Sequence, residues 1–179
     1  MNRKIGLIGI LLLLLAVTGV SVTLAWLVGR SQSVTNTFTA GNIEITLTES
    51  TGSSYKMVPA LTVKKDPVVT VKGGSDACWL FVITQKSKEF DSYVTYEIAD
   101  GWTALGDVDG VYYRQVEKGE EDTSFIVLKN NAITVKETVT EEKLAALTEN
   151  PTLEFAAYAI QLGGNDSAQT AWNNIKVEE

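Results

Sequence analysis

The chain of 179 residues contains no histidine and a single cysteine, Cys78. Without histidine it cannot assemble a Ser-His-Asp or Cys-His nucleophile, and it lacks the imidazole ligands of the usual zinc sites. One cysteine cannot form an internal disulfide, so the stability of the fold has to come from packing. Cys78 lies in the apolar run "DACWLFVIT", which favours a buried thiol over a reactive one. We therefore predict no enzyme activity, no metal site and no cofactor.

Positive charge is scarce relative to negative charge. The sequence has 15 Lys and Arg against 22 Asp and Glu, which gives a formal net charge of −7 at pH 7. Phosphate-rich surfaces repel such a chain, so neither a nucleic acid nor an anionic lipid surface is expected as a partner. The hydrophobic fraction of 45% is that of an ordinary folded domain with one sizeable core.

The longest apolar run of the sequence lies near its N-terminus. A basic Arg3-Lys4 pair precedes "IGLIGILLLLLAV", and this order is typical of a signal peptide. Thr23-Leu24-Ala25 fits a small-x-small site, so residues 1–25 are predicted to be a leader cleaved between Ala25 and Trp26. The alternative is a retained membrane anchor, because no charge occurs from Ile5 to Val28. Either way the positive-inside rule predicts export of the rest of the chain, with membrane contact only through the leader.

Beyond the leader, apolar residues alternate with polar ones. The segment "NIEITLTE" places Ile43, Ile45 and Leu47 on one face, the period-2 pattern of a half-buried strand. Further β-type runs are "LTVKK", "VVTVK", "CWLFVIT", "YVTYEI", "VYYRQV", "SFIVL", "AITVKE" and "TLEFAAYAIQ". Turn residues separate them at Asp66-Pro67, Gly73-Gly74, Asp100-Gly101, Asp109-Gly110 and Asn130-Asn131, with the clearest tight hairpin at Asp109-Gly110. Residues 37–179 are therefore predicted to form an all-β, antiparallel sandwich of jelly-roll type.

Two segments are predicted to be short helices at the periphery of the sandwich. "TVTEEKLAALTEN" begins behind a Thr cap with Glu141 and Glu142 in its first turn, and Pro151 blocks its continuation. "DSAQTAWNNI" begins at an Asp or Ser cap. The faces expected to pack on the sandwich are Leu144 with Leu147, and Ala168, Ala171 and Trp172 with Ile175.

Acidic loops and aromatic side chains are weaker candidates for a binding site. The loops "GDVDG" and "EKGEED" can offer carboxylates to calcium, but neither has EF-hand spacing, which favours solvated loops. The aromatic residues can line a sugar-binding groove, yet on alternating strands most of them are expected in the core. They are Trp79, Phe81, Tyr93, Tyr96, Trp102, Tyr112, Tyr113 and Tyr158. Spacing alone leaves paired carboxylates for glycoside chemistry open, although no pair stands out.

Five segments spread over nearly the whole chain carry a family resemblance. They are the leader ending in "TLAW", "VTNTFTAGNIEITLTE", "YKMVPALTVKKDPVVTVKGGSDACWLFV", "GWTALGDVDGVYYRQV" and "PTLEFAAYAIQ". Together they resemble the TasA/camelysin family of Gram-positive bacteria. The resemblance implies export through a dedicated signal peptidase of the ER-like type and a jelly-roll subunit of extracellular biofilm fibres. In the best-understood members, the segment freed by leader cleavage inserts as a strand into the next subunit.

The chain departs from this family just after the predicted cleavage site. Family members usually carry an aromatic and then an acidic residue there, whereas "WLVGRSQ" contains Arg30 and no acid. Some members are described as metalloproteases, but a chain without histidine lacks the usual means of holding zinc. Protease activity is therefore not carried over.

Residues 26–36 are predicted to form an extended N-terminal arm. Alternate residues from Trp26 onward are suited to burial in the sheet of a neighbouring subunit. They are Trp26, Val28, Val34 and Phe38, with Arg30 and Gln32 interrupting the pattern. The alternative is that the segment is only a flexible tether. The leading hypothesis is a secreted structural subunit of biofilm-matrix fibres, whose partners are itself or related fibre subunits and the ER-type signal peptidase. The second hypothesis is a membrane-tethered monomeric surface β-sandwich that binds a ligand or a protein.

Overall fold

The structure is a computed structural model that describes residues 42–52 and 55–177. The predicted leader, its cleavage site and the predicted arm lie outside the described residues. So do the site residues Ala25, Trp26, Val28, Val34 and Phe38. In the part of the chain that is described, no helix is both long and apolar enough to cross a membrane.

The described residues form ten strands and three short helices. The strands are β1 (Ile45–Thr48), β2 (Thr62–Lys64), β3 (Val68–Val71), β4 (Cys78–Lys86), β5 (Val94–Ile98), β6 (Thr103–Ala104), β7 (Val111–Val116), β8 (Thr123–Ile126), β9 (Leu128–Val135) and β10 (Leu153–Gln161). The helices are α1 (Phe90–Tyr93), α2 (Glu141–Ala145) and α3 (Ala168–Val177). Every strand pair among them is antiparallel, so the all-β antiparallel prediction is confirmed.

The strands are arranged in three hydrogen-bonded sheets. One has the order β10-β4-β7-β6, and the others have the orders β1-β3-β8 and β2-β9-β5. The two three-stranded sheets follow each other along the chain, because β2 leads into β3 and β8 leads into β9. Between them Lys65 N–H donates to the Asn131 carbonyl, and Val127 N–H donates to the Pro67 carbonyl. These two sheets therefore form one continuous layer that bends between them, and we call it the bent layer.

Two of the predicted turns are bends inside the bent layer and do not reverse the chain. Asn130 and Asn131 lie within β9 with φ angles of 57° and 51°. Asp66-Pro67 lies in the neighbouring segment, between β2 and β3. Asparagine adopts left-handed backbone more readily than most residues, so it marks a bend as readily as a turn. The prediction that a strand ends at Asn130-Asn131 is wrong, because β9 bends there and continues.

The predicted hairpin before β7 is confirmed, with a longer loop than expected. β6 pairs with β7, and Leu105 N–H donates to the Val111 carbonyl below the loop. Gly110 has a φ of 72°, and a Cβ atom there would lie 2.6 Å from the carbonyl oxygen of Thr84. Since that distance is a clash, β4 and the hairpin approach each other closely enough to require glycine.

The main core lies between the four-stranded sheet and the bent layer. It contains the predicted inward-facing residues Ile43, Ile45 and Leu47 together with Cys78, Leu80 and Val82 of β4. Its fully buried members include Ile45, Val69, Leu80, Val82 and Leu128. Each such side chain contributes about 1.5–3 kcal/mol through burial.

A second core lies on the other face of the four-stranded sheet, beneath α3. Trp79 and Phe81 of β4 belong to it, because successive residues of a strand face opposite sides. The predicted face of α3 packs there through Ala168, Ala171 and Trp172. The other predicted helix is also confirmed as α2, with the Thr140 side chain accepting from Lys143 N–H and with Leu144 and Leu147 against the main core. α1 was not predicted.

Ala60 provides a test of backbone strain in an exposed turn. Its φ is 62°, and Leu61 N–H donates to the Val58 carbonyl across the turn. We expect Ala60→Gly to raise the free energy of unfolding by about 0.5–1 kcal/mol, since glycine removes the steric cost of left-handed backbone. Urea denaturation measures it. Ala145→Gly, at an exposed position inside α2, is the control and should lower stability by up to about 1 kcal/mol. An equal loss of stability in both variants would contradict backbone strain at Ala60.

Candidate functional site

The acidic loops do not gather into a cation site. Within residues 42–52 and 55–177, no group of three or more His, Cys, Asp or Glu side chains is placed to hold a metal ion. Asp122 of the "EKGEED" loop lies 2.8 Å from Lys72 Nζ and accepts a hydrogen bond from Gly73 N–H. Both bonds lower the pKa of Asp122 below its usual value. This carboxylate therefore fastens the turn between β3 and β4.

The aromatic residues are divided between the two cores. Tyr93, Tyr96, Trp102 and Tyr112 belong to the main core or pack against it, and Trp79, Phe81, Tyr113 and Tyr158 belong to the second core or pack against it. The expectation that most of them are core residues is confirmed. They lie on opposite faces of the four-stranded sheet, so they do not line one common groove.

Cys78 begins β4 and has no exposed surface. Burial raises the pKa of its thiol to about 11, because the thiolate is disfavoured away from water. The nucleophilic form is therefore rare at neutral pH. The prediction of a buried, unreactive cysteine is confirmed.

The free edges of the sheets differ in how far they are protected. An edge strand exposes unpaired N–H and C=O groups, and short length, irregularity or a covering group limits the pairing of such an edge with other chains. β6 has two residues, β2 has three and β1 has four, and β5 has a register shift between Tyr96 and Ile98. At the edge formed by β8, the Trp102 indole N–H donates to the Ile126 carbonyl at 2.8 Å. These edges are short, irregular or covered.

β10 is the exception among the edge strands. It has nine residues and pairs with β4 in unbroken register from Leu153↔Lys86 to Gln161↔Cys78. No described strand is hydrogen-bonded to its other side, although β1 packs close to it. Its sequence "LEFAAYAIQ" has no proline and a single charge, at Glu154. It therefore lacks the residue types and irregularities that discourage strand addition.

The direction of the backbone groups in β10 follows from the hydrogen bonds at its two ends. Leu162 N–H donates to the Ala77 carbonyl, and Ser87 N–H donates to the Thr152 carbonyl. Because direction alternates along an antiparallel ladder, the even-numbered residues of β10 face β4 and the odd-numbered ones face away. The outward N–H and C=O groups belong to Leu153, Phe155, Ala157, Ala159 and Gln161. We call this row the β10 edge.

Contacts on both faces hold the β10 edge in place. On the inner side, the Lys65 Nζ lies 2.7 Å from Glu49 and 5.4 Å from the ring centre of Phe155. On the outer side, Tyr158 makes an edge-on contact with Trp172 of α3. Lys65 is only 6% exposed, so its ammonium group depends on Glu49 for charge compensation. The strand is therefore packed on both of its faces.

None of the site residues predicted from the sequence lies among the described residues, so the structure brings none of them together. The β10 edge was not predicted, because the run "LEFAAYAIQ" indicates a strand but not its position in the sheet. The chain matches no protein-family model, no curated protein and no solved structure.

Asp66 is the most heavily hydrogen-bonded carboxylate at this end of the bent layer. It accepts from the Ser50 hydroxyl, from Ser50 N–H at 3.0 Å and from Thr51 N–H at 3.1 Å, and it lies 3.0 Å from Lys64 Nζ. The Ser50 hydroxyl has the largest effect, and these contacts hold the pKa of Asp66 well below its usual value. The ionised carboxylate thus stabilises the folded turn after β1.

Asp66 therefore predicts a pH dependence of stability. Its folded pKa is lower than its unfolded pKa, so its contribution is present above about pH 4 and is lost as the pH falls further. We expect Asp66→Asn to lower the free energy of unfolding at neutral pH, and this cost to shrink as the pH is lowered from about 4 to about 2. Urea unfolding at several pH values measures it. Asp107→Asn, in an exposed loop, is the control and should be neutral throughout. A cost that does not change with pH would refute the role of the charge.

Proposed function

We propose that the protein is a secreted structural subunit of extracellular biofilm-matrix fibres, built as a jelly-roll sandwich. After cleavage between Ala25 and Trp26 by an ER-type signal peptidase, its N-terminal arm adds as a strand to the next subunit. The observation that carries this proposal is the β10 edge, which is long, regular and unpaired among the described strands. An edge of this kind is a template for strand addition.

The predicted arm matches the β10 edge in length, and in apolar pattern except at Arg30 and Gln32. Residues 26–36 are sufficient to pair with all nine residues of β10. An added strand would place every second side chain beside Ala157 and Ala159, which face the main core. Every second residue of the arm should therefore be apolar. The arm of one copy on the β10 edge of another is a heterologous contact that does not close on itself, so it yields filaments. The neighbour is another copy or a related fibre subunit.

The second candidate is a membrane-tethered monomeric surface protein that binds a ligand or a protein. The uncharged run from Ile5 to Val28 favours it, because that run is long enough to cross a bilayer. The two candidates differ in the exported chain. An intact mass that still contains residues 1–25 supports the tethered protein, and a chain that begins at Trp26 supports the fibre subunit.

Removal of the arm tests polymerisation. We expect protein that begins at Trp26 to form fibres, and protein that begins at Thr37 to stay a folded monomer, because only the first has a strand to donate. Size-exclusion chromatography and negative-stain microscopy compare them, with circular dichroism as the check on folding. A synthetic peptide of residues 26–36 in excess should slow fibre growth, and a scrambled peptide should not. The same fibres from the shorter protein would rule out the arm as the connector.

Hydrogen exchange tests the accepting edge separately from the arm. The amides of Phe155, Ala157 and Ala159 should exchange fast in the shorter protein and at least about 100-fold more slowly in fibres, since an added strand would bond them. Ala156 and Tyr158 are the matched controls, because their N–H groups face β4 and should be protected in both forms. Fast exchange of the odd-numbered amides in fibres would show that another edge accepts the arm.

A further inference from the structure

Arg114 occupies an unusual position on β7. It shares a strand face with Tyr112 and Val116, which contact the main core, so its side chain is directed toward the space between the layers. The guanidinium carbon lies 3.9 Å from the ring centre of Phe125 and 5.3 Å from the ring centre of Trp102. The two rings meet edge to face at 6.4 Å. The guanidinium is therefore held in the corner between two aromatic rings, which we call the Arg114 corner.

The residues around the Arg114 corner are fixed by bonds of their own. The indole N–H of Trp102 is bonded to the Ile126 carbonyl, and Phe125 is paired with Val69 in the ladder between β3 and β8. Gly101 has a φ of 86°, and a Cβ atom there would lie 3.0 Å from Arg114 Nη2. Glycine thus lets the backbone come close to the end of the guanidinium. The corner is a preorganised feature, with three chain segments holding one cation.

The cation in this corner has no acceptor in the described part of the chain. All six ion pairs found there use lysine, and Arg114 takes part in none of them. Its Nε–H group is buried without a hydrogen-bond partner. Burial lowers the pKa of Arg114, although an arginine stays protonated at neutral pH. The fold therefore holds a partly buried cation with no described carboxylate within ion-pair distance, so its terminal N–H groups are available to an anion.

We propose that the Arg114 corner is a binding site for a carboxylate, as carried by an aspartate or glutamate side chain or by a small organic acid. Only Phe125 lies close to the guanidinium carbon, at 3.9 Å, and the terminal nitrogens have no hydrogen-bond partner among the described residues. Since Nε is buried, a ligand would bind to the terminal Nη1 and Nη2 groups. Two parallel N–H···O bonds in one plane match the two oxygens of a carboxylate.

The single charge of the corner argues against a phosphate or a polyanion. Recognition of a dianion generally uses several basic groups, whereas here one guanidinium lies among apolar rings in a chain of net charge −7. A planar monoanion balances the cation without excess charge. The carboxylate can come from a second copy, since acidic side chains outnumber basic ones, or from free solute.

The indole N–H signal of Trp102 in NMR spectra is the probe. In exported protein, kept below the concentration at which it assembles, sodium acetate should shift this signal saturably, with half-saturation at roughly 10–100 mM. Sodium chloride at equal sodium concentration should not. The indole signals of Trp79 and Trp172, in the second core, are internal controls and should stay in place. In acetate-free buffer, movement toward the acetate-bound position as protein concentration rises identifies a second copy as the source. A signal that responds to acetate but not to protein concentration identifies a free acid.

Two substitutions separate binding from packing. Arg114→Met keeps an apolar side chain against both rings, so it should remain folded and lose the acetate-dependent shift. Arg114→Lys keeps the positive charge but lacks the planar guanidinium, so it should weaken acetate binding at least about fivefold. If the Met variant does not fold, the Lys variant is the test of the proposal. A Trp102 signal that responds equally to acetate and chloride would overturn the proposal. The same acetate shift in Arg114→Met would also overturn it.

Discussion

Strand β4 imposes the main constraint on this fold, because it has a strand on each side and a hydrophobic core on each face. Leu80 and Val82 face the main core, while Trp79 and Phe81 face the second core. A strand of this kind cannot be stable at a surface, since its large apolar side chains point both ways. The bent layer and α3 are therefore both required, one to cover each face. β10 and β7 are in turn aligned by their pairing with β4.

The strands were largely predictable because their signals are local. "NIEITLTE" alternates strictly, and β1 buries the residues that this alternation selects. The run "CWLFVIT" was correctly predicted as a strand, but its burial on both faces was not, because a short apolar run has no periodicity that reveals its surroundings. Helices α2 and α3 followed from their caps. α1 has four residues, too few for a helical pattern to be recognised.

The errors concern properties that depend on distant partners. Asn130-Asn131 has the chemistry of a turn, yet whether the chain reverses there depends on the Lys65 and Val127 hydrogen bonds that carry the pairing past the bend. The β10 edge is likewise a property of sheet order, which no single segment contains. The Arg114 corner combines β7, β8 and the turn at Gly101. The predicted arm, in contrast, came from its own residue pattern and from the family resemblance.

The odd-numbered residues of β10 have two separate roles, one for their side chains and one for their peptide groups. Phe155, Ala157 and Ala159 direct their side chains into the core and their peptide groups outward. Replacing their side chains one at a time would report on packing and hardly on the exposed peptide groups, which every residue except proline supplies identically. Such a surface carries no residue-specific code. It can persist while the sequence diverges, provided that strand length and regularity are kept, so comparison of sequences is a poor detector of it.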